Sequence, residues 1–198
     1  MNMRTPRRRG LSSASGQSLI EFALVLPLLL LLVLGVVELS YALLDQHVVT
    51  KLTREGSNLI SRDVSLQDAA TAMATMSTPP VKFPGGATII FSVVKKGTTT
   101  GTSNYNQDIL YQRYSYGSLS ATSQLTTAGA GSFGSGPDFI ANNSDNDTSL
   151  QVTNLPSGLL APGGIVYVTE IYTSHTLLTP LDGLGVTVPA TLYSIAYF

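Results

Sequence analysis

The feature that most constrains this chain is an apolar run close to its N-terminus. Residues 19–44 are interrupted by charge only at Glu21 and Glu38. A helix needs ~20 mainly apolar residues to cross the hydrocarbon core of a bilayer. The run is long enough, and it predicts a transmembrane helix over about residues 19–44.

The apolar residues of this run favour membrane insertion by more than the carboxylate near its start opposes it. Leu, Ile, Val and Phe supply 15 of the 19 residues from Leu19 to Val37, which favours insertion by about 4 to 9 kcal/mol. One acidic residue opposes insertion by about 2.5 to 3.5 kcal/mol at the bilayer centre. The basic leader before Gly16 should stay in the cytoplasm, so residues after about Leu44 should lie outside. That leader contains Arg4, Arg7, Arg8 and Arg9.

Three interpretations of the segment are open. The simplest is a signal anchor, with Glu21 at the membrane edge. The second is a secretory signal cleaved near residues 40–42, although the apolar run exceeds the usual 7 to 15 residues and Glu38 lies close to the cut. The third starts from GQSLIEF, residues 16–22, where a glutamate lies five residues after a glycine that follows the basic leader.

GQSLIEF resembles the processing site of type IV pilin-like proteins. In those proteins a prepilin peptidase cuts after a glycine, and glutamate is the fifth mature residue. The resemblance implies that residues 1–16 are a cleaved leader and that the mature chain begins at Gln17. It makes Gly16, Gln17, Glu21 and Phe22 the expected processing residues.

Residues 16–63 are further similar to the TadE-like family, minor pseudopilins of the Tad (Flp) pilus system. The shared features are the Glu21-Phe22 pair, Pro27 at the end of FALVLP, the leucine run and an acidic residue, Glu38, just beyond it. Residues 166–181 also resemble the late strand of that family. The resemblance implies that Glu21, Pro27 and Glu38 serve assembly, with Glu21 meeting the N-terminal amine of a neighbouring subunit.

The resemblance implies a structural subunit of a pilus and not an enzyme. Its expected partners are a prepilin peptidase, other minor pilins and the major pilin of a Tad system, the inner-membrane assembly machinery, and membrane lipid before assembly. The expected location is the bacterial inner membrane, with a single pass and an extracytoplasmic C-terminal domain, and then the pilus or cell surface. The alternative is a membrane-anchored extracytoplasmic binding domain that never polymerises and holds a ligand in the loop at 117–164.

Beyond the membrane, the N-terminal helix is predicted to continue to residue 63. An apolar stripe supports this extension, and Gly56 is expected to mark a bend. The stripe consists of Leu44, Val48, Leu52, Leu59 and Ile60. The stretch SLQD at 65–68 is a capping signal, so a short helix is predicted over 66–76, within residues 64–78. Its packing face should be Ala69, Ala70, Met73 and Met76.

From residue 79 the pattern changes to short runs of β-formers. Four strands are predicted, at 87–96, 109–117, 164–174 and 191–198. Together with the long helix they indicate an α+β fold, in which residues 79–198 form a β-rich domain with a small antiparallel sheet against the helix. Residues 117–164 are rich in Gly, Ser, Thr, Asn and Ala, and are expected to form an exposed loop with one irregular strand near 148–153.

No pattern in the chain indicates catalysis, a metal or a cofactor. Cysteine is absent, and the two histidines, His47 and His175, look isolated. GAGSFG at 129–134 lacks the strand and helix that a dinucleotide site needs, and NNSDNDT at 142–148 lacks the glycine and distant glutamate of a calcium loop. Glu170 is expected to face solvent from a strand. Without the leader, 7 basic residues face 12 acidic ones, which argues against a nucleic-acid partner.

Overall fold

A computed structural model describes residues 14–178 and 189–198. Its first element is α1, Ala14–Ile60, a helix of 47 residues that continues through Pro27. Most of the predicted leader (residues 1–13) and the end of the family-like stretch (179–181) lie outside the described residues. The predicted long N-terminal helix is confirmed.

The second helix, α2, spans Leu66–Met76, as its capping signal predicts. The Ser65 hydroxyl accepts from the Asp68 N–H at 3.1 Å and donates to the Asp68 carboxylate at 2.7 Å. This satisfies a donor that a helix N-terminus otherwise leaves free. The prediction that Met76 packs in the core is wrong, because it is the last helical residue and is half exposed.

Four antiparallel strands form one sheet in the order β2-β1-β3-β4. They are β1 at Ala87–Lys96, β2 at Asp108–Gly117, β3 at Ile165–Ser174 and β4 at Thr191–Tyr197. Each boundary falls within one residue of its predicted range. The α+β prediction, a long helix followed by a small antiparallel sheet, is confirmed.

Both helices pack on one face of the sheet, where α1 presents a stripe of partly small and polar side chains. The predicted stripe is wrong at its start, because Leu44 is exposed. The α1 residues buried on this face include small and polar ones because the sheet approaches the helix closely. They are Val49, Leu52, Thr53, Gly56, Ser57 and Ile60.

Gly56 is a point of close approach between α1 and the sheet, and the bend expected there stays a prediction. Helix α1 runs through it without a break. A Cβ added there would lie 2.8 Å from Thr169 Cγ2 and 3.3 Å from Phe91 Cε1. The glycine therefore sets the distance between α1 and strands β1 and β3.

We expect Gly56→Leu to lower the free energy of unfolding by about 1 to 3 kcal/mol, because overpacking forces the helix off the sheet. Thermal melting of the full chain in detergent measures the change. Gly35→Leu is the matched control, since a Cβ there meets nothing within 4 Å. An equal loss of stability in the two variants would contradict the close-approach explanation.

Residues 118–164, here termed the outer segment, cover the other face of the sheet and pass around the edge of β2, where Phe139 stacks on Tyr114 beside α2. The prediction that this region is an exposed loop is wrong, since Leu125, Ala141 and Leu150 are buried. Its backbone also pairs with β2 through single bridges at Ile140 and Gln151. The expected strand near 148–153 is a short 3-10 helix, Thr148–Leu150, followed by bridge residues. The sheet thus has a core on each face.

Candidate functional site

The N-terminal part of α1 presents its apolar side chains outward. No residue in its most apolar stretch is buried within the chain, and Leu24 is 74% exposed. Among the described residues, this is the one helix long and apolar enough to cross a membrane. At ~1.5 Å per residue, the stretch from Leu19 to Val37 is about 28 Å long, close to the ~30 Å hydrocarbon core of a bilayer.

The expected processing residues lie in the first turns of α1. Gln17 Nε2 donates to Glu21 Oε1 at 3.1 Å, so these two side chains share one exposed face. Phe22 is 64% exposed. A Cβ at Gly16 would meet nothing within 4 Å, so packing in the folded chain gives no reason for a glycine at this position.

Glu38 lies at the opposite end of the apolar stretch and has a different environment. It is 3% exposed, and its two carboxylate oxygens accept from the Leu178 N–H at 3.2 and 3.1 Å. The His175 Nε2 atom lies 3.8 Å from Glu38 Oε1. Glu38 therefore joins α1 to the segment that follows β3. Pro27, the third expected assembly residue, lies inside the helix between the two glutamates.

His175 is not isolated, and that interpretation of the sequence is wrong. Its side chain is buried, and Nδ1 lies 3.0 Å from Asp45 Oδ2. An N–H on Nδ1 donates a hydrogen bond to the Asp45 carboxylate at this distance. The histidine is separated by 130 residues from Asp45 and by 137 from Glu38, so no local motif could have revealed the cluster. It fixes the end of β3 to α1 just beyond the apolar stretch.

Glu170, on β3, is the centre of a second buried polar cluster, and the expectation that it faces solvent is wrong. Its side chain is fully buried beneath the outer segment. The carboxylate accepts from the Ser123 hydroxyl and from the Gln124 N–H at 2.7 Å. The hydroxyls of Tyr172 and Tyr193 each lie 3.2 Å from Oε1. Both carboxylate oxygens are thus hydrogen-bonded.

Burial and the charge of Glu170 shift the pKa values of the titratable side chains around it. Burial, and then the negative charge of Glu170, raise the pKa of Tyr172 to about 12. The same causes raise the pKa of Tyr193, so both hydroxyls keep their protons. Burial lowers the pKa of Arg113, and the charge of Glu170 opposes that shift. Arg113 donates to Leu125 O at 2.9 Å. The cluster fastens the outer segment to the sheet.

The stretch 142–148, whose oxygen-rich composition suits calcium, is used for turns. Asp147 Oδ1 accepts from the Ser149 N–H at 3.0 Å, and Asp145 Oδ2 accepts from the Thr99 hydroxyl at 3.1 Å. Among the described residues, no group of three His, Cys, Asp or Glu side chains is placed to hold a metal ion.

Residues 16–58 match the model of a protein family described as TadE-like protein. The matched residues lie within α1 and include every expected processing and assembly residue, from Gly16 to Glu38. They are 43 of the 198 residues, and the sheet lies outside the match. No characterised protein and no solved structure shows significant similarity to the chain.

Proposed function

We propose that this chain is a TadE-like minor pilin or pseudopilin, a structural subunit in the assembly of a Tad pilus, and that a prepilin peptidase cuts it after Gly16. The observation that carries the proposal is the coincidence of two features in one helix. The family match covers residues 16–58, and the apolar surface of that helix is not covered by the rest of the described chain. A membrane before assembly, and other helices after it, would cover that surface.

The environment of Gly16 supports processing at this residue. Because a Cβ at Gly16 meets no other atom of the described chain, a glycine is not needed for folding. Recognition by a peptidase that cuts after glycine would explain why a glycine stands at this position. The Gln17–Glu21 contact on an exposed face leaves both residues accessible to such an enzyme.

The proposed sequence of events follows from the two ends of the apolar stretch. The basic leader stays in the cytoplasm, the apolar stretch crosses the inner membrane, and the sheet lies on the extracytoplasmic side. Cleavage would place a new amine on Gln17, one helical turn from Glu21. The processed chain would then leave the membrane with the major pilin, other minor pilins and the assembly machinery as its partners.

The two glutamates of α1 have different proposed roles. Glu21 is exposed, so its carboxylate is available to the N-terminal amine of a neighbouring subunit. Glu38 already accepts from Leu178 N–H within its own chain, and we assign it to fixing the sheet at a set position along α1. Pro27 lacks a backbone N–H and so leaves one helix carbonyl between them without its usual donor, and we assign it to assembly.

The first test is the mature N-terminus. Mass spectrometry of the protein purified from a host with a Tad system should show a chain that begins at Gln17. Gly16→Leu should leave an uncut precursor in the membrane, because a bulky side chain then occupies the scissile position. The expected loss of the mature form is nearly complete.

Gly35→Leu is the matched control, since it makes the same replacement at an equally open position of α1 and should be cut normally. A mature chain that begins near Leu43 would instead indicate an ordinary signal peptidase and would contradict the proposal. An intact chain that stays in the membrane in the presence of the peptidase would favour the alternative, a non-polymerising membrane-anchored binding domain.

A further inference from the structure

The two edges of the sheet are covered differently. The outer segment occupies the edge of β2, where the Ala141 N–H donates to Tyr111 O and the Val152 N–H to Asp108 O, both at 2.8 Å. The other edge strand is β4. Within residues 14–178 and 189–198, no strand or bridge pairs with its outer side. A free edge is a template for another strand.

The backbone of β4 shows which groups point outward. Tyr167 and Phe198 exchange N–H···O bonds at 3.0 and 2.9 Å, so this pair is hydrogen-bonded. Antiparallel alternation then directs the N–H and C=O groups of Tyr193, Ile195 and Tyr197 away from β3. Gln46 Nε2 donates to the Tyr193 carbonyl at 3.0 Å, in agreement with that direction. In the described chain, the outward groups of Ile195 and Tyr197 have no such partner.

A groove of about 820 Å³ runs between α1 and the end of β4. Residues 195–198 form one side of it. The α1 side includes His47, Lys51, Arg54 and Asn58, which recur at intervals of four, three and four and so share one helical face. At ~1.5 Å per residue these positions extend over about 17 Å, the length of about five strand residues. The groove has room for one extended segment.

The wall formed by α1 is basic. Lys51 and Arg54 are exposed, and neither forms an ion pair with another described residue. Glu55 is the one carboxylate side chain among the residues that line the groove. An incoming segment with carboxylates at alternate positions would therefore direct them toward Lys51 and Arg54.

A second copy of the chain is a poor occupant. Its β2 edge is covered by its own outer segment. Pairing two copies through β4 would bring two basic walls side by side, which like-charge repulsion opposes.

We infer that the β4 edge and the basic wall of α1 bind an extended acidic segment of another protein by strand addition. Main-chain hydrogen bonds to Ile195 and Tyr197 would give affinity, and the charges of Lys51 and Arg54 would select an acidic partner. This inference goes beyond the proposed function, because it concerns the sheet and would hold if α1 never entered a pilus.

The experiment uses the full chain in detergent micelles with a tethered probe. A flexible Gly/Ser linker after Phe198 carries a strand of alternating valine and glutamate, so that the probe is present at high effective concentration. Hydrogen exchange at the outward amides of Ile195 and Tyr197 is then compared with that of the unextended chain. We expect exchange at these amides to slow by about tenfold or more, as expected for newly hydrogen-bonded groups.

Three comparisons decide the inference. A probe with lysine in place of glutamate should protect these amides about tenfold less, and equal protection would overturn the inference. Ile195→Pro removes an outward N–H and should abolish protection. Lys51→Glu should weaken protection, whereas Lys82→Glu, the same change at an exposed lysine outside the groove, should not. Slow exchange of the outward amides of Ile195 and Tyr197 in the unextended chain would show an edge already occupied and would also overturn the inference.

Discussion

Glu21→Leu is expected to abolish incorporation of the processed chain into pili while leaving membrane insertion and cleavage intact. Insertion becomes more favourable when a carboxylate leaves the apolar stretch. Under the proposed function, the Glu21 charge meets the amine of a neighbouring subunit, and removing one partner of a buried pair costs ~3 to 5 kcal/mol. The measurement is the amount of processed subunit that co-purifies with sheared pili or with the other minor pilins.

Two further variants separate charge from polarity at this position. Glu21→Gln keeps the size and the hydrogen-bonding capacity toward Gln17, yet lacks the charge, and is expected to be as defective as Glu21→Leu. Glu21→Asp keeps the charge on a shorter side chain and should be partly defective. Incorporation of Glu21→Leu at the level of the unmodified chain would refute a pairing role in assembly.

Replacing residues 118–144 with a short Gly/Ser linker is expected to unfold the sheet. The replacement removes the buried side chains of Leu125 and Ala141 from the second core. It also removes the Ser123 hydroxyl and the Gln124 N–H from the Glu170 carboxylate, which would leave a charged group poorly satisfied. Losses of this kind are comparable with the ~5 to 15 kcal/mol that stabilises a typical domain.

Chemical unfolding of the full chain in detergent checks this result. The single change Leu125→Ala should already cost about 2 to 5 kcal/mol. A matched control replaces residues 156–159 of the same segment, which are exposed, and should change stability by less than about 1 kcal/mol. An unchanged unfolding transition after the larger replacement would show that the outer segment adds no stability.

The strands and helices could be predicted because their signals are local. Runs of β-branched and aromatic residues predicted the four strands to within a residue, and the Ser65–Asp68 capping pattern located α2. Short sequence separation is the common property of these successes. The processing motif from Gly16 to Glu21 is equally local, and cleavage there stays a prediction.

The two buried clusters could not be predicted, because their members are distant in the chain. Glu170 was expected to face solvent because the outer segment, which buries it, is rich in Gly, Ser and Thr and therefore resembles an exposed loop. The outer segment packs on the sheet through a few widely spaced apolar side chains, which include Leu125 and Leu150. Glu38 and His175 are likewise brought together by the fold alone, and the burial of Gly56 depends on how closely β3 approaches α1.

The unbroken course of α1 has a mechanical consequence. One helix carries the bare apolar stretch and also forms part of the core against β3 and β4, with no hinge between them. Any axial load applied near Gln17 is therefore carried along about 30 Å of continuous helix before it reaches the first contacts with the domain, at Glu38. The contacts of Glu38 and Asp45 with the 175–178 segment lie where that load first enters the domain. Displacing the helix along its axis would shear these contacts together, so the domain would move with the helix as one body.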